Sequence, residues 1–367
     1  MDLTVIGGPN FSGRTERLRS WTGLPVQASD EATKTDNAFI GPDPVNALSG
    51  FAPTVLAELE LMARDRDAFL GAKRAIEELG FGPILQQNPF TLSGGEQVVV
   101  ATVAAAAGRP SRLAIDCAFE QLAADTRSRL LSWLETLDGE LMVADNRLDE
   151  WYHGKSECQP ASPHAPVIKP QTPERLQGTG IKIEIVDLCF SYPRGRQIFD
   201  RLNLTLEPNH AYHLRGPNGV GKTTLSKLLC GLLRPQKGEI RVNGVAVKPW
   251  RTPGQSVGYH FQNPTFQLFA NSVHQQLANG ATDMSLSKEF GLEEMLDAHP
   301  LDLPYVLRKR LAIAATIGRG RDCVVFDEPT LGQDVNASNA ISTILQNIGG
   351  IRITHSFAFS NLAVIAL

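Results

Sequence analysis

A glycine-rich segment that occurs twice constrains the fold of this chain more than any other feature. The first copy, Gly8–Thr15, reads Gly-Pro-Asn-Phe-Ser-Gly-Arg-Thr, and the second copy, Gly216–Thr223, reads Gly-Pro-Asn-Gly-Val-Gly-Lys-Thr. Each copy precedes a stretch of helical character and follows a short apolar run, Leu3–Ile6 or Ala211–Leu214. A strand, a glycine loop and a helix in this order predict an α/β fold built on a parallel sheet.

A second pair of motifs indicates that the whole domain is duplicated. Two apolar runs with the character of buried strands, Leu113–Asp116 and Val324–Asp327, each end in an aspartate. The first aspartate follows Arg14 by 102 positions, and the second follows Lys222 by 105 positions. Because two motifs recur at nearly the same separation, the sequence predicts two α/β domains in tandem.

A proline-rich stretch marks the boundary between the two predicted domains. Five prolines fall between Pro160 and Pro173, and prolines at this density disfavour regular helix and sheet. We therefore predict a first domain over residues 1–150, a linker over residues 151–180 and a second domain over residues 181–367. The length of 367 residues agrees with two domains of ordinary size.

Charge and hydropathy limit what the chain binds and where it resides. The formal net charge of −4 is not typical of nucleic-acid binders, which present a basic surface. The longest nearly pure apolar run, Val98–Ala107, has about half the length that a transmembrane helix needs. No signal peptide is evident after Met1, and the five cysteines are scattered without metal-site spacing. We expect a cytoplasmic protein, and a membrane partner is compatible with this.

The second glycine segment has the residues of a phosphate-binding loop. It fits the pattern G-x-x-x-x-G-K-[ST], in which glycines let backbone N–H groups point at an anion. The residues predicted to bind the nucleotide are Gly216, Pro217, Asn218, Gly219, Val220, Gly221, Lys222, Thr223 and Thr224. Lys222 is expected to reach the β- and γ-phosphates, and Thr223 is expected to bind Mg²⁺. Asp327 is a second candidate Mg²⁺ ligand, and Glu328 is a candidate to polarise the attacking water.

The hexapeptide Leu92–Gln97, Leu-Ser-Gly-Gly-Glu-Gln, resembles the signature sequence of the ATP-binding-cassette (ABC) family. It lies just before the apolar run at Val98–Ala107, which we predict to be a helix. A serine N-cap and an open glycine backbone leave N–H groups that can face a phosphate. The residues of this segment predicted to bind nucleotide are Ser93, Gly94, Gly95 and Glu96.

The resemblance to ABC ATPases covers almost all of the chain outside the linker and implies roles for further residues. Tyr192 would stack on adenine, Gln262 would bind Mg²⁺ and take part in catalysis, and His355 would contact the γ-phosphate as a catalytic residue. Asp327–Thr330 would be the Walker B segment, and Gln333–Asp334 would belong to the D-loop.

The two halves depart from the family pattern at different places. The first half has changed at the following motif positions: Phe11, Arg14, Pro42, Cys117 and the histidine region at Asp145 or Asn146. The second half lacks the signature, because Pro304, Tyr305 and Val306 stand in its place. ABC ATPases bind nucleotide between domains packed head-to-tail. The resemblance therefore implies one competent site, with Walker motifs from the second half and the signature from the first, and one degenerate site.

The segment Phe261–Val273 resembles the Q-loop of energy-coupling-factor importers, in which Gln-Asn-Pro is followed by Gln-Leu-Phe. This resemblance implies an integral membrane coupling subunit and a substrate-binding membrane subunit, which together import a vitamin or a metal ion. Phe266, Leu268 and Phe269 form either an apolar groove for a helix of that partner or the core of a helical subdomain. We expect helical subdomains over about Val45–Thr91 and Thr265–Asp302.

Two other functions are compatible with twin cassettes. Ribosome-associated tandem ABC proteins have a long charged helical linker, whereas residues 151–180 hold three basic and two acidic residues with five prolines. A regulatory protein that binds ATP without turnover would not need Glu328 and His355. We therefore predict an ABC transporter ATPase that uses ATP and Mg²⁺ at the cytoplasmic face of the membrane. It would have no nucleic-acid partner, and its halves would form an internal pseudo-dimer.

Overall fold

Each half of the chain contains a parallel five-stranded sheet. The computed structural model describes residues 1–25, 36–146, 152, 156–158, 160, 162, 165–170, 180–192, 197–216, 219–278, 285–354 and 359–367. These residues divide into two structural units. The first unit comprises Met1–Ala165 and Gly332–Val335, and the second comprises Pro166–Leu331 and Asn336–Leu367. The first unit thus takes four residues from the second half of the sequence.

The sheet of the first unit consists of β1 (Asp2–Gly7), β2 (Ala38–Ile40), β3 (Arg112–Asp116), β4 (Glu140–Ala144) and β5 (Ser156–Cys158). The strand order is β2-β3-β4-β1-β5, and every pairing is parallel. Strands β3 and β4 are apolar and almost entirely buried, as is typical of strands covered on both faces. Asp116 ends β3 as predicted, opposite Ala144 of β4.

The helices of the first unit are α1 (Arg14–Thr22), α2 (Val55–Met62), α3 (Arg66–Glu78), α4 (Gly94–Ala107) and α5 (Ala124–Glu135). The side chains of Thr54 and Asp65 cap α2 and α3 by accepting a backbone N–H three residues further on. Helix α4 is apolar all round and buried from Gln97 to Ala107, so it forms the centre of this unit's core. The predicted helix after the signature is confirmed.

The second unit contains two sheets. An antiparallel sheet consists of β6 (Ile183–Ser191), β7 (Gln197–Leu206), β9 (Lys237–Val242) and β10 (Val245–Val247), in the order β10-β9-β6-β7. The parallel sheet consists of β8 (Ala211–Arg215), β11 (Gly258–His260), β12 (Val324–Asp327), β13 (Gly350–Ile353) and β14 (Ala363–Ala366). Its order is β11-β12-β13-β8-β14.

The second unit contains five α-helices among its described residues. They are α6 (Lys222–Leu229), α7 (Val273–Ala278), α8 (Ser285–Glu289), α9 (Tyr305–Gly318) and α10 (Val335–Leu345). Leu225 and Leu228 of α6 lie in one core cluster with residues of both sheets. Within the described part of the chain, no helix combines the length and apolar character that crossing a membrane requires.

The two parallel sheets have the same strand order, so residues of the two units can be compared position by position. Helices α4 and α9 have the same length and begin at the same distance before the aspartates that end β3 and β12. Left-handed backbone conformations recur as well. The φ angle is +61° at Phe11 and +76° at Gly219, and it is +53° at Cys117 and +45° at Glu328. The predicted duplication is therefore present in the backbone.

The range predicted to be a linker, residues 151–180, contains a strand. Strand β5 pairs with β1, and Glu157 of β5 forms an ion pair with Arg17 of α1. The expectation of an irregular connector does not hold at Ser156–Cys158. The prolines begin only at Pro160, so the N–H groups of these three residues are available for strand pairing.

Candidate functional site

The glycine loop of the second unit connects β8 to α6, as predicted. The φ angle is +158° at Gly216, +76° at Gly219 and +114° at Gly221, which are conformations that favour glycine. A Cβ atom at Gly221 would lie 2.6 Å from Cγ2 of Ile198, so the loop packs closely against β7. Gly219 is exposed and Val220 is half-buried at the tip of the loop. Two predicted loop residues lie outside the described residues, Pro217 and Asn218.

Lys222 is the first residue of α6, and its ammonium group turns back to the loop. Its Nζ donates to the carbonyl oxygen of Gly216 at 2.7 Å. Burial lowers the pKa of Lys222, and the charges of Glu328 and Asp327 oppose that shift. The loop lysine and the two carboxylates at the end of β12 are therefore close enough to interact electrostatically.

Asp327 ends β12 and is almost completely buried. Burial, and to a lesser degree the charge of Glu328, raise the pKa of Asp327 to about 6. The hydroxyl group of Tyr259 in β11 donates to Oδ2 of Asp327 at 2.9 Å. Sequence reasoning missed Tyr259, whose one available signal is its place three residues before Gln262.

The oxygen donors of this site fit a magnesium ion. Mg²⁺ in nucleotide sites uses one or two protein oxygens together with phosphates and water. The carboxylate of Asp327 and the hydroxyl of Thr223 are donors of this kind, and in the first unit the equivalent Thr15 donates to Asp116 at 2.5 Å. Among the described residues, no group of three or more His, Cys, Asp and Glu side chains is placed to hold a metal. With one hydroxyl and one carboxylate oxygen, Thr223 and Asp327 make up the small set of protein ligands that such a site uses.

Two further predicted residues flank the same strand ends. Gln262 follows β11, and its main-chain carbonyl accepts a hydrogen bond from the ammonium group of Lys309. Glu328 adopts a left-handed conformation, and its N–H donates to the carbonyl of Ile353 in β13 at 2.8 Å. A non-glycine residue at positive φ is strained, and this bond to the neighbouring strand helps to hold it.

Tyr192, the predicted adenine-binding residue, reaches the helix that follows the glycine loop. Its hydroxyl group lies 3.2 Å from Oγ1 of Thr224, the third residue of α6. The ring packs edge-on against Phe190 with centroids 5.0 Å apart, and 39% of the residue remains exposed. Tyr192 and the helix that follows the glycine loop are thus in contact.

The predicted histidine, His355, lies outside the described residues. The residue before it, Thr354, is placed by a second histidine that sequence reasoning missed. His213 of β8 is buried, and its Nε2 lies 3.0 Å from the carbonyl oxygen of Thr354. Burial lowers the pKa of His213. The equivalent residue of β1 is Val5, so this hydrogen bond has no counterpart in the first unit.

The signature segment of the first unit forms the start of α4. The carboxylate of Glu96 accepts hydrogen bonds from the N–H of Ser93 at 2.8 Å and from its hydroxyl group at 2.6 Å. Ser93 is exposed, and Gly94 and Gly95 are half-buried at the first turn. The helix start is accessible, and a charged side chain that was predicted to face the nucleotide is used to cap it.

The glycine loop of the first unit is closed by its own side chains. Arg14 is buried, and its guanidinium group donates to the carbonyl of Asp145 at 2.8 Å and to Oδ1 of Asn146. The side chain of Asn146 donates in turn to Oε1 of Glu120 at 2.8 Å. In the second unit the equivalent Lys222 donates instead to a carbonyl of its own loop. The basic residue of the first loop is therefore engaged in a network with residues that follow β3 and β4.

Cys117 stands at the position of Glu328 and cannot replace it. Burial raises the pKa of the Cys117 thiol well above its usual value, and the charge of Asp116 raises it further. The thiol is therefore protonated at neutral pH. It accepts a weak contact from Nδ2 of Asn146 at 3.5 Å.

The four residues Gly332–Val335 complete the first unit. The N–H of Gly332 donates to Oε2 of Glu120 at 2.9 Å, and the N–H of Asn10 in the glycine loop donates to Oδ2 of Asp334 at 3.0 Å. The carboxylate of Asp334 thus accepts a hydrogen bond from the backbone of the first glycine loop.

Sequence comparisons identify the family. A profile of the family described as "ABC transporter" matches residues 199–331. The "Energy-coupling factor transporter ATP-binding protein EcfA" of Methanococcus maripaludis is 32% identical over 188 residues, which are 47% of this chain and 68% of that protein. The chain belongs to the ABC transporter ATP-binding family. A "Putative ABC transporter ATP-binding protein" of Treponema denticola is 30% identical over 201 residues, which are 51% of this chain and 41% of that longer protein.

The fold agrees with this family over the whole chain. A structure described as "Model of ribosome-bound archaeal Pelota and ABCE1" matches with a TM-score of 0.67 and 17% identity, and covers 100% of this chain and 72% of that one. At this identity the likeness concerns the fold alone. The predicted α/β fold of two tandem ABC-type P-loop domains is confirmed.

In this ABC protein the position of the second signature is blocked. Pro304 is the N-cap of α9 and donates no N–H, and Tyr305 is buried in the first turn. The apolar residues after the Q-loop separate into two groups. Leu268 is buried, whereas Phe266 and Phe269 are 61% and 78% exposed. Of the two predicted alternatives, Leu268 therefore belongs to the core, whereas the two phenylalanines form an accessible apolar surface.

Proposed function

We propose that the chain is the ATP-hydrolysing subunit of an ABC transporter and that the second unit carries the Walker motifs of its active site. The observation that carries this proposal is the glycine loop between β8 and α6, where Lys222 donates to the carbonyl of Gly216, together with the buried Asp327 at the end of β12. A loop lysine that reaches the phosphates and an aspartate that holds Mg²⁺ are parts that P-loop NTPases use for phosphoryl transfer.

In the proposed reaction the side chains and loops of this chain bind and orient the nucleotide and move a proton. Tyr192 would stack on the base, and the loop from Gly216 to Thr223 would hold the phosphates with Lys222. Thr223, Gln262 and Asp327 would hold Mg²⁺, which when bound neutralises charge on the phosphates. Glu328 would accept the proton of the attacking water, and His355 would donate to the γ-phosphate.

The signature of the first unit would complete this site, as in head-to-tail ABC pairs. Complementary losses support the proposal. The second unit has lost its own signature at Pro304 and keeps Glu328, whereas the first has lost the glutamate at Cys117 and keeps Ser93, Gly94 and Gly95. The other composite site would be inactive, because Arg14 is already engaged and Cys117 is a protonated thiol.

The substitution Glu328→Gln tests the catalytic assignment. It is expected to lower kcat for ATP about 10²-fold, because a general base is lost while the shape of the side chain is kept. Cys117→Ser, at the equivalent position of the first unit, is the matched control and is expected to leave kcat unchanged. Steady-state ATPase assays measure both, and wild-type turnover by Glu328→Gln would refute the assignment.

A membrane coupling subunit is the proposed partner, and the protein would act at the cytoplasmic face of the membrane. Phe51 and Phe269 each lie four residues before a helix, α2 or α7, and are 88% and 78% exposed. Both loops are fixed from beneath: the buried Glu58 accepts from the N–H of Ser49 at 2.7 Å, and Gln276 accepts from the N–H of Phe269 at 3.0 Å. Two equivalent phenylalanines on fixed loops suit two apolar helices of an integral membrane protein.

Purification from membranes tests this partner. The wild-type protein is expected to bring integral membrane subunits with it, among them one that binds the transported vitamin or metal ion. The double variant Phe51→Ser/Phe269→Ser is expected to lose them. Leu232→Ser, another exposed apolar residue, is the matched control. Retention of the subunits by the double variant would exclude these loops as the docking site.

A ribosome-associated ATPase is the second candidate function. The whole-chain likeness to a ribosome-bound tandem ABC protein favours it, although that likeness concerns the fold alone. Against it stand the net charge of −4 and the proline-rich character of residues 151–180. Co-sedimentation with ribosomes in the presence of ATP would support this candidate over the transporter.

A further inference from the structure

Lys309 lies in the second turn of α9, and its side chain is completely buried. Lysine is rarely buried in this way, because an ammonium group removed from water must find polar groups that replace the water. Here the ammonium group donates to the main-chain carbonyl of Gln262. A buried charge therefore holds the loop that carries one of the proposed Mg²⁺ ligands.

A second side chain ties the same loop to the same helix. Gln267 donates through Nε2 to the carbonyl of Ala312 in α9 at 2.8 Å, and its Oε1 accepts from the N–H of Phe261 at 2.9 Å. Ala312 lies three residues after Lys309 and hence on the same face of α9. The main-chain groups of two consecutive residues, Phe261 and Gln262, are therefore fixed from one helix face.

The charge of Lys309 also acts on the two strands beside the loop. It lowers the pKa of Asp327 at the end of β12, against the effect of burial. It likewise lowers the pKa of His260 at the end of β11, which burial already lowers strongly. The charge of Lys309 therefore lies close to the ends of both strands.

The first unit fixes the equivalent carbonyl without a charge. Val98 of α4 stands at the position of Lys309, and Pro42 stands at the position of Gln262. The carbonyl of Pro42 accepts from the neutral amide of Gln121 at 2.9 Å. The buried ammonium group belongs to the unit with the intact glycine loop and not to its degenerate counterpart.

We propose that Lys309 is a positioning residue for ATP hydrolysis, which holds the main chain of Gln262 so that the Gln262 side chain meets the nucleotide correctly. This role rests on the proposed function. Lys309 acts through Gln262 and makes no contact of its own with the nucleotide. Its loss therefore lowers turnover and changes the affinity for ATP little, because a small misplacement of one group at the reaction centre affects mainly the transition state.

A double-mutant cycle tests this role with the variants Lys309→Met, Gln262→Ala and the combination of both. Each single variant is expected to lower kcat about 10-fold and to leave KM for ATP within about 2-fold. The combination is expected to lower kcat no further than the more impaired single variant, because Lys309 has no side chain left to position once Gln262 is alanine. A purely structural lysine would instead give losses that multiply, and that result would overturn the proposal.

Two further variants separate positioning from folding. Lys288→Met, on the exposed side of α8, is the matched control and is expected to keep wild-type turnover. Lys309→Gln keeps an N–H donor without the charge and replaces Lys309→Met in the cycle if the latter does not fold. It is expected to retain more turnover than Lys309→Met. Wild-type turnover in a folded Lys309→Met protein would overturn the proposal.

Including Glu328→Gln in the same assays distinguishes a failure of the proposed function from a failure of the role proposed for Lys309. If the wild-type protein has no turnover that depends on Glu328, the proposed function fails, and the role of Lys309 fails with it. If Glu328→Gln is inactive while both Lys309 variants match the wild-type protein, the proposed function stands and only the role of Lys309 is refuted.

Discussion

The two glycine loops have positive φ angles at equivalent described positions and differ in what their basic residues contact. Lys222 turns back to a carbonyl of its own loop and interacts with Asp327 and Glu328. Arg14 instead donates to Asp145 and Asn146, the residues that follow β4. Moving a ligand into the first loop would require this network of side chains to open.

This difference shows how a duplicated domain can keep its fold after its chemistry has changed. The topology depends on glycines and left-handed turns, and both units retain them at equivalent positions. The chemistry depends on a few side chains at the strand ends, and those have diverged. A bulky guanidinium group with five donors suits a fixed hydrogen-bond network better than the exchange of phosphates.

The comparison of Lys222 with Arg14 gives the largest expected effect. Lys222→Ala is expected to lower kcat/KM for ATP about 10³-fold, because the loop loses the charge that would stabilise the transferred phosphoryl group. Arg14→Ala is expected to stay within about 3-fold of wild-type activity, because Arg14 contacts only its own unit in this network. ATPase assays on folded proteins measure both, and equal losses would contradict the asymmetry of the two loops.

A substitution at Ser93 tests whether the first unit contributes to the proposed site of the second. Ser93→Arg is expected to lower kcat about 10²-fold, because the side chain would obstruct the helix start that is proposed to face the phosphate. Ser93 is exposed, so the fold should tolerate the change. Ser132→Arg, at an exposed position of α5, is the control. Wild-type activity of Ser93→Arg would exclude a composite site.

A smaller effect on stability is expected at acid pH. His260 is buried with a lowered pKa, whereas Ile40 stands at the same position in the first unit. The unfolded chain binds a proton at His260 near pH 6.5 and the folded chain does not, so stability falls as pH decreases below that value. Each pH unit costs at most about 1.4 kcal/mol from this residue.

His260→Ile is therefore expected to reduce the loss of thermal stability between pH 7.5 and pH 5.5. Thermal unfolding at several pH values measures the change, and His274→Ile, at an exposed position of α7, is the control. An unchanged pH dependence in His260→Ile would show that His260 is protonated in the folded protein as well.

Much of the fold and of the candidate site follows from local sequence. The glycine loops predicted β1–α1 and β8–α6, the apolar runs predicted β3 and β12, and the signature predicted the start of α4. These predictions succeed because each of the structural features depends on neighbours within a few residues.

What the sequence did not reveal depends on contacts between distant residues. Tyr259 meets Asp327 across 68 positions, and His213 meets Thr354 across 141 positions. Their side chains are of common types, and a single sequence has no pattern that marks such a pair. The strand β5 was missed for a related reason, since an edge strand of three residues with a charged centre has no periodicity to read.

The assignment of Gly332–Val335 to the first unit has a practical consequence for dissecting this protein. A fragment that ends at Ala165 would expose the carboxylate of Glu120 and the N–H of Asn10, each without the partner that these four residues provide. Separate expression of the two halves would therefore divide a unit rather than release one. A cut at the prolines would separate the two duplicated halves of the sequence, but it would leave the first unit without residues Gly332–Val335.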